Sequence, residues 1–217
     1  MSDEIIGKLR TLSTSSVSDA MDRLGINGQC LGIKPLDPGF RLCGRAFTMH
    51  MTPAEIPAGS VGDYIDDVKP GEVVVIDNHG REDMTVWGDI LTFVAKKMGV
   101  EGTVIDGHCR DVHLALEREY PLYSRGWSMR TGKDRVQLDQ VNVPVSIGGA
   151  RVEPGDILLG DADGVVCLPQ AKVDDILKIC VQIEEAEEHI RAAIDGGMRL
   201  DEARKEFRYH QLQSREE

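Results

Sequence analysis

The chain has 217 residues, 41% of them apolar and 29% charged, with a formal charge of −12. That length suits one large domain, or one domain with a helical appendage. The acidic balance argues against non-specific nucleic-acid binding, which relies on clustered Lys and Arg, and no run of about 18 apolar residues offers a membrane-spanning helix.

Ser15-Ser16 precede Val17 to Leu24, predicting a short helix that Gly25 closes. The Gly- and Pro-rich run from Gly28 to Gly39 reads as loop. Leu42 to Met51 reads as a strand. Pro70-Gly71 then turns into Glu72 to Asp77, whose apolar stretch predicts a strand covered on both faces. Gly88-Asp89 starts a helix with Leu91, Val94, Ala95 and Met98 on one face, and Gly99 stops it. Val100 to Ile105 is a β-branched apolar run, so the segment reads as a βαβ unit. A short helix is expected over Val112 to Glu119, ended by Pro121.

Beyond Val136 the pattern turns to β. Val141 to Ile147 alternates, Gly148-Gly149 makes a turn, and Pro154-Gly155-Asp156 opens Ile157 to Leu159. Asp161 to Gly164 then turns the chain into Val165 to Leu168, a hairpin. From Lys172 the chain reads as helix, with a stripe of Val173, Ile176, Leu177, Cys180, Val181 and Ile183, broken at Gly196-Gly197. A last helix is expected over Leu200 to Phe207, followed by a fraying end.

The five cysteines (30, 43, 109, 167 and 180) are odd in number and irregularly spaced, as expected of reduced thiols, and no Cys-x-x-Cys pair suggests structural zinc. The acidic start, Met1-Ser2-Asp3-Glu4, lacks the basic-then-apolar layout of a signal peptide, so a cytoplasmic location is expected. Asp161-x-Asp163-Gly164 looks like the opening of a calcium loop, but it lacks the third ligand and the closing Glu and reads as a turn. Neither common glycine-rich phosphate fingerprint is present, and the six histidines show no metal-ligand spacing. His108 and His113 are minor candidates for substrate contact. Cys109 has no evident orienting base and reads as a small packing residue.

The sharpest feature is Asp89 followed, across a helix and a strand, by Arg110-Asp111. Asp89 would sit at a helix N-terminus and Arg110-Asp111 just past a strand's carboxyl end, the two places where ligands gather in α/β architecture. The plainer reading is a structural ion pair, or Asp111 capping the helix that starts at Val112. Gly88 and Gly107 tip the balance toward a site, because they let backbone amides approach a ligand closely.

Gly88-Asp89-Ile90-Leu91 followed by Arg110-Asp111 resembles the Asp-x20-Arg-Asp signature of the RraA-like family. That family includes class II pyruvate aldolases acting on 4-hydroxy-4-methyl-2-oxoglutarate and 4-carboxy-4-hydroxy-2-oxoadipate. Ser18 to Asp22, Pro70 to Val75, Gly102 to Gly107, Arg125-Gly126, Pro154 to Asp156 and Asp163 to Pro169 fit the same pattern, so the resemblance covers roughly residues 10–200. It implies an αββα sandwich of the swivelling β/β/α type with flanking N- and C-terminal helices. A catalytic domain would span residues 1–170, and a helical extension over 171–217 would pack on it or on a neighbouring subunit. Homotrimers or hexamers with sites between subunits are expected.

By the same resemblance, Arg110 would grip the carboxylate or keto oxygen of a small keto acid, aided by the backbone of Gly88, Asp89, Ile90 and Leu91. Asp111 would hold Mg²⁺ or Mn²⁺, and Asp89 would orient a metal-bound water as a base. A glutamate from a neighbouring subunit's C-terminal helix would assist; of Glu184, Glu185, Glu187 and Glu188, Glu187 is the choice. The expected reaction cleaves a 4-hydroxy-2-keto diacid to pyruvate through a metal-stabilised enolate, with oxaloacetate decarboxylation as a companion activity. No Lys in the signature offers a Schiff base. Some members instead bind an RNA-degradation endonuclease without catalysis; here both aspartates of the signature are intact and a helical C-terminal extension is present, which leans against that role. Methyl transfer to a quinone, a third activity attached to such sequences, would need a glycine-rich adenosylmethionine loop that the first strand lacks. The loops at 27–40 and 52–66 are expected to set substrate preference.

Overall fold

A computed structural model describes residues 3–209. Helices α1 (Asp3–Leu9) and α2 (Thr14–Arg23) lead to a two-residue strand β1 (Lys34–Pro35). The long strands β2 (Leu42–Pro53) and β3 (Glu72–Thr85) follow, then α3 (Asp89–Met98), β4 (Gly102–Cys109), α4 (Val112–Glu117) and β5 (Leu122–Trp127). Next come β6 (Val136–Val141), β7 (Val145–Ile147), β8 (Ala150–Val152), β9 (Ile157–Asp161) and β10 (Gly164–Leu168). Two helices, α5 (Val173–Asp195) and α6 (Leu200–Glu206), close the described chain.

The main sheet runs β1-β5-β4-β3-β2-β9-β10, with β2 to β5 mutually parallel. The predicted βαβ unit is present: β3 and β4 pair in parallel across α3. On its outer side β2 serves two partners in turn, antiparallel β9 over Leu42–Arg45 and antiparallel β6 over Met49–Pro53. β7 and β8 form a separate hairpin.

The run Val73 to Ile76 is fully buried. Alternate side chains go to opposite faces of a strand, and here each face has its own cover. Val74 and Ile76 join Phe47, Met49 and Ile105 against Ala95 of α3 and Ala115 of α4. Val73 and Val75 join Ala46, Val104 and Tyr123 against Val145, Ile147, Ala150 and Val152 of the hairpin. A third cluster packs Val17, Ala20 and Met21 of α2 and Val173, Ile176, Cys180 and Ile183 of α5 onto Ile157, Leu159, Val166 and Leu168. These layers make the αββα sandwich. Burying each such aliphatic side chain contributes about 1.5–3 kcal/mol.

Several boundaries differ from expectation for physical reasons. α2 begins at Thr14, capped by Ser13, whose side chain accepts from Ser16 N–H, rather than after Ser15-Ser16. The start is fixed from 147 residues away, where Asp161 accepts from Thr14 N–H at 2.8 Å and Thr14 Oγ1 at 2.6 Å. β3 runs past Asp77 to Thr85, bending where His79 and Gly80 both take left-handed backbone angles. The alternating stretch 141–147 is divided between β6 and β7, with Asn142 at φ +54 between them. Val181 lies off the buried stripe of α5, half exposed. The fraying expected at the end falls on residues 210–217, outside the described residues.

Asp161 makes a stability test. Burial alone would raise its carboxyl, but the hydrogen bonds from Thr14 Oγ1, Thr14 N–H and Asp163 N–H outweigh that and hold it below the usual carboxylate value. Thr14→Val should therefore cost about 1.5–3 kcal/mol, the worth of a hydrogen bond to a charged group. Because the folded value is depressed, the lost stability is fully present above about pH 4 and vanishes as pH falls through the folded value. Urea unfolding of both proteins at neutral and acid pH reads this; equal midpoints at neutral pH would contradict it.

Candidate active site

The carboxyl ends of β3 and β4 bring the signature together. Val86 N–H donates to His108 O at 3.2 Å, and Arg110 N–H donates to Trp87 O at 2.9 Å. Gly88-Asp89 and Arg110-Asp111 are thus clamped side by side, as the sequence spacing predicts. α3 begins at Asp89 and ends at Gly99, whose φ of +75 is the left-handed cap that favours glycine.

Asp111 stands at the start of α4 with φ +55, ψ +39, and its side chain makes no capping hydrogen bond. The plainer reading of Asp111 as a helix cap therefore fails. Its carboxylate instead turns back to α3: Oδ2 accepts from Asp89 N–H at 3.2 Å and lies 3.3 Å from Arg110 Nε. Ile90 N–H donates to Asp89 Oδ1 at 2.8 Å. The positive end of α3 already holds two carboxylates, which is what a helix N-terminus is suited to hold. Leu91 N–H sits in the same first turn, whose amides lack partners within the helix. The Arg110 side chain is 38% exposed, and the Asp111 side chain 32%.

A cavity of about 160 Å³ opens here, lined by Val61, Trp87, Gly88 to Leu91, Arg110 and Thr131 to Lys133. A Cβ on Gly88 would come within 2.9 Å of Asp111 Oδ2 and 3.2 Å of Arg110 Nε. The backbone of Gly88 is extended, at φ −152, and allows any residue. Gly88→Ala should therefore leave stability near wild type while displacing the ion pair, lowering turnover about 100-fold. Steady-state kinetics beside a thermal melt checks this; unchanged turnover would show that the pair has room to move.

A family model for RraA-like proteins, described as Aldolase/RraA, matches residues 14–167, well over half of the chain. The chain belongs to the RraA-like family. It is 33% identical over 175 residues to a Halalkalibacterium halodurans protein provisionally named a 4-hydroxy-4-methyl-2-oxoglutarate aldolase, covering 81% of each. It is 37% identical over 210 residues to protein DlpA of Legionella pneumophila, covering 95% of this chain but 34% of that one, so it spans about a third of that relative's length. The crystal structure of Streptomyces coelicolor RraAS2, titled an unusual member of the RNase ES inhibitor RraA protein family, matches with a TM-score of 0.83 at 27% identity, covering 88% of this chain and 98% of that one.

Within this RraA-like chain the other candidates lie apart from the cavity. Glu187 is on α5, in the layer behind β9 and β10, where it pairs with Arg191 at 3.2 Å. His113 is exposed on α4, and His108 Nδ1 is buried with no hydrogen-bond partner among the described residues. Cys109 is buried, and burial pushes its thiol up to about 11, which agrees with packing rather than nucleophilic attack. Asp161 and Asp163 form the β9–β10 turn, as expected. A larger cavity of about 350 Å³ lies between α2 and β10, but none of the signature residues lines it.

One cluster contradicts the reading that the histidines lack metal-ligand spacing. His50, Asp77 and His79 each offer a ligand atom within 4.8 Å of the other two. Linear spacing missed it because His50 lies on another strand. The usable signal was Asp77-x-His79 at the end of one apolar strand, with His50 near the end of the previous one.

Proposed function

We propose that this chain is a divalent-metal-dependent carbon–carbon lyase that cleaves a 4-hydroxy-2-keto diacid to release pyruvate, with oxaloacetate decarboxylation as a side reaction. The observation that carries this reading is the Asp111 carboxylate, turned away from α4 and held beside Arg110 at the positive end of α3. Support also comes from the aldolase name of the Halalkalibacterium relative.

The donor set suits a hard divalent ion. Asp111 Oδ1 has no hydrogen-bond partner among the described residues and the side chain is partly open to solvent. One or two carboxylates completed by water is how Mg²⁺ is usually held. When bound there, Mg²⁺ or Mn²⁺ supplies Lewis-acid stabilisation of enolate charge.

The remaining work falls to the chain. Arg110 keeps Asp111 in place through Nε and presents its terminal nitrogens to the substrate carboxylate as a planar fork. Leu91 N–H, with the Asp89 and Ile90 amides once their carboxylates yield, adds donors to the same anion. Gly88 keeps that approach open. Asp89, exposed at the cavity edge, positions the water that takes the proton from the substrate hydroxyl. Glu187 of a neighbouring subunit assists that transfer in a trimer or hexamer.

Pyruvate release from the two branched hydroxy-keto diacids and from oxaloacetate, measured with Mg²⁺ and with chelator, tests the reading. The expected result is chelator-sensitive release above the Arg110→Ala background. Release unaffected by chelator, or none from any of the three, overturns it. The likeness to RraAS2, a member of an RNase ES inhibitor family, favours a second reading, restraint of an RNA-degradation endonuclease. Tight capture of such an endonuclease without any turnover would establish that reading instead.

A further inference from the structure

We propose that His50, Asp77 and His79 form a second cation site, distinct from the lyase centre, that takes a first-row transition metal of the zinc class. The site comes from sheet register. His50 of β2 pairs with Asp77 of β3, which pairs with Asp106 of β4, so these three side chains lie in one row where the regular parallel pairing ends. The row is on the face that carries Val73, Val75 and Val104, opposite the face covered by α3 and α4.

Both rings are set by groups that can only accept. Asp139 Oδ2 lies 3.0 Å from His50 Nδ1, so that nitrogen donates and the neutral ring keeps its lone pair on Nε2. Met51 O lies 3.1 Å from His79 Nε2, so that nitrogen donates and the lone pair stays on Nδ1, 3.8 Å from Asp77 Oδ1. A carboxylate or carbonyl behind a ligating imidazole is the usual support of a metal site. Asp139 is available for this because it is the bulge residue of β6, skipped between the pairs His50–Gln140 and Met51–Leu138.

Asp77 is held from behind as well: His79 N–H donates to Oδ1 at 2.9 Å and Ser146 N–H to Oδ2 at 3.1 Å. His79 accepts a left-handed backbone, φ +56, to turn back over Asp77. Two imidazoles and a carboxylate with open positions suit zinc and its neighbours rather than Mg²⁺. Tetrahedral bonds of about 2.1 Å set ligand atoms about 3.4 Å apart, so the cage closes by about an ångström on loading. The half-exposed His79 side chain leaves the entrance open.

The test uses protein without a histidine tag, stripped by chelator and reloaded with Zn²⁺ or Co²⁺ in excess Mg²⁺, with metal counted per chain after gel filtration. One retained ion per chain is expected. His79→Ala should lose it, Asp139→Asn should weaken it about 10–100-fold, and Asp111→Asn should keep it. No retention by the wild type, retention unchanged in His79→Ala, or loss in Asp111→Asn overturns the proposal. X-ray absorption on the wild-type cobalt form gives a check independent of variant folding: two imidazole ligands support the site, and an all-oxygen shell refutes it. Metal counting needs no turnover, so failure of the lyase reading would leave this result unaffected.

Discussion

Asp111→Asn should abolish Mg²⁺-dependent pyruvate release while leaving the chain folded. Asparagine keeps the side chain's size and is among the few residues that tolerate the left-handed backbone at φ +55. The substitution removes the charge that would hold the ion and that faces Arg110 Nε at 3.3 Å. A metal's charge stabilisation is worth several kcal/mol, which is about 10³–10⁴-fold at 1.36 kcal/mol per decade. A pyruvate-coupled assay with saturating Mg²⁺, beside a thermal melt, measures both outcomes. Asp111→Ala would be a poorer probe, because alanine adds backbone strain of about 1 kcal/mol at a left-handed position. A rate near wild type in Asp111→Asn would remove the metal from this site.

Arg110→Ala should lower kcat/KM by about 10³-fold. Removing one preorganised donor costs about 10²–10³, and here the same side chain also holds Asp111 in place. Arg110→Lys should recover only part of the loss, since an ammonium has no planar fork to match a carboxylate. If Arg110→Lys matched wild type, the guanidinium would be acting as a simple charge. A drop of less than tenfold in Arg110→Ala would move substrate binding elsewhere.

The geometry of the candidate site was legible because its parts are local. Gly88 starts α3, Gly99 stops it, and the β-branched run through Ile105 leads directly to Arg110-Asp111. The hairpin of β9 and β10 was likewise written in a two-residue turn between apolar runs. What sequence missed was set at a distance. Thr14 starts α2 because Asp161 holds it, and no local pattern around Ser13 to Ser16 reveals that. The later part of β3, Asn78 to Asp83, is polar and carries no strand pattern in the sequence, yet it keeps a strand partner at Arg81 opposite Gly107. β5 was hidden by Arg125-Gly126, which interrupt its apolar residues; Arg125 is ion-paired with Asp106 across the strands. The turned-back carboxylate of Asp111 also escaped, since an acid just before a helix ordinarily caps it.

The double partnership of β2 limits where this protein can change length. Adding one residue between Arg45 and Phe47 would, with the β9 pairing kept, swap the sides of Phe47, Met49 and Met51 and break register with β6. The connector after it, residues 54–71, brings Val61 to the cavity wall and is anchored by Tyr64, Ile65 and Val68, which are buried in the same cluster as Phe47 and Met49. Its exposed stretch, residues 55–59, is where the segment leading to Val61 can be altered while the buried anchor and the framework beneath stay in place.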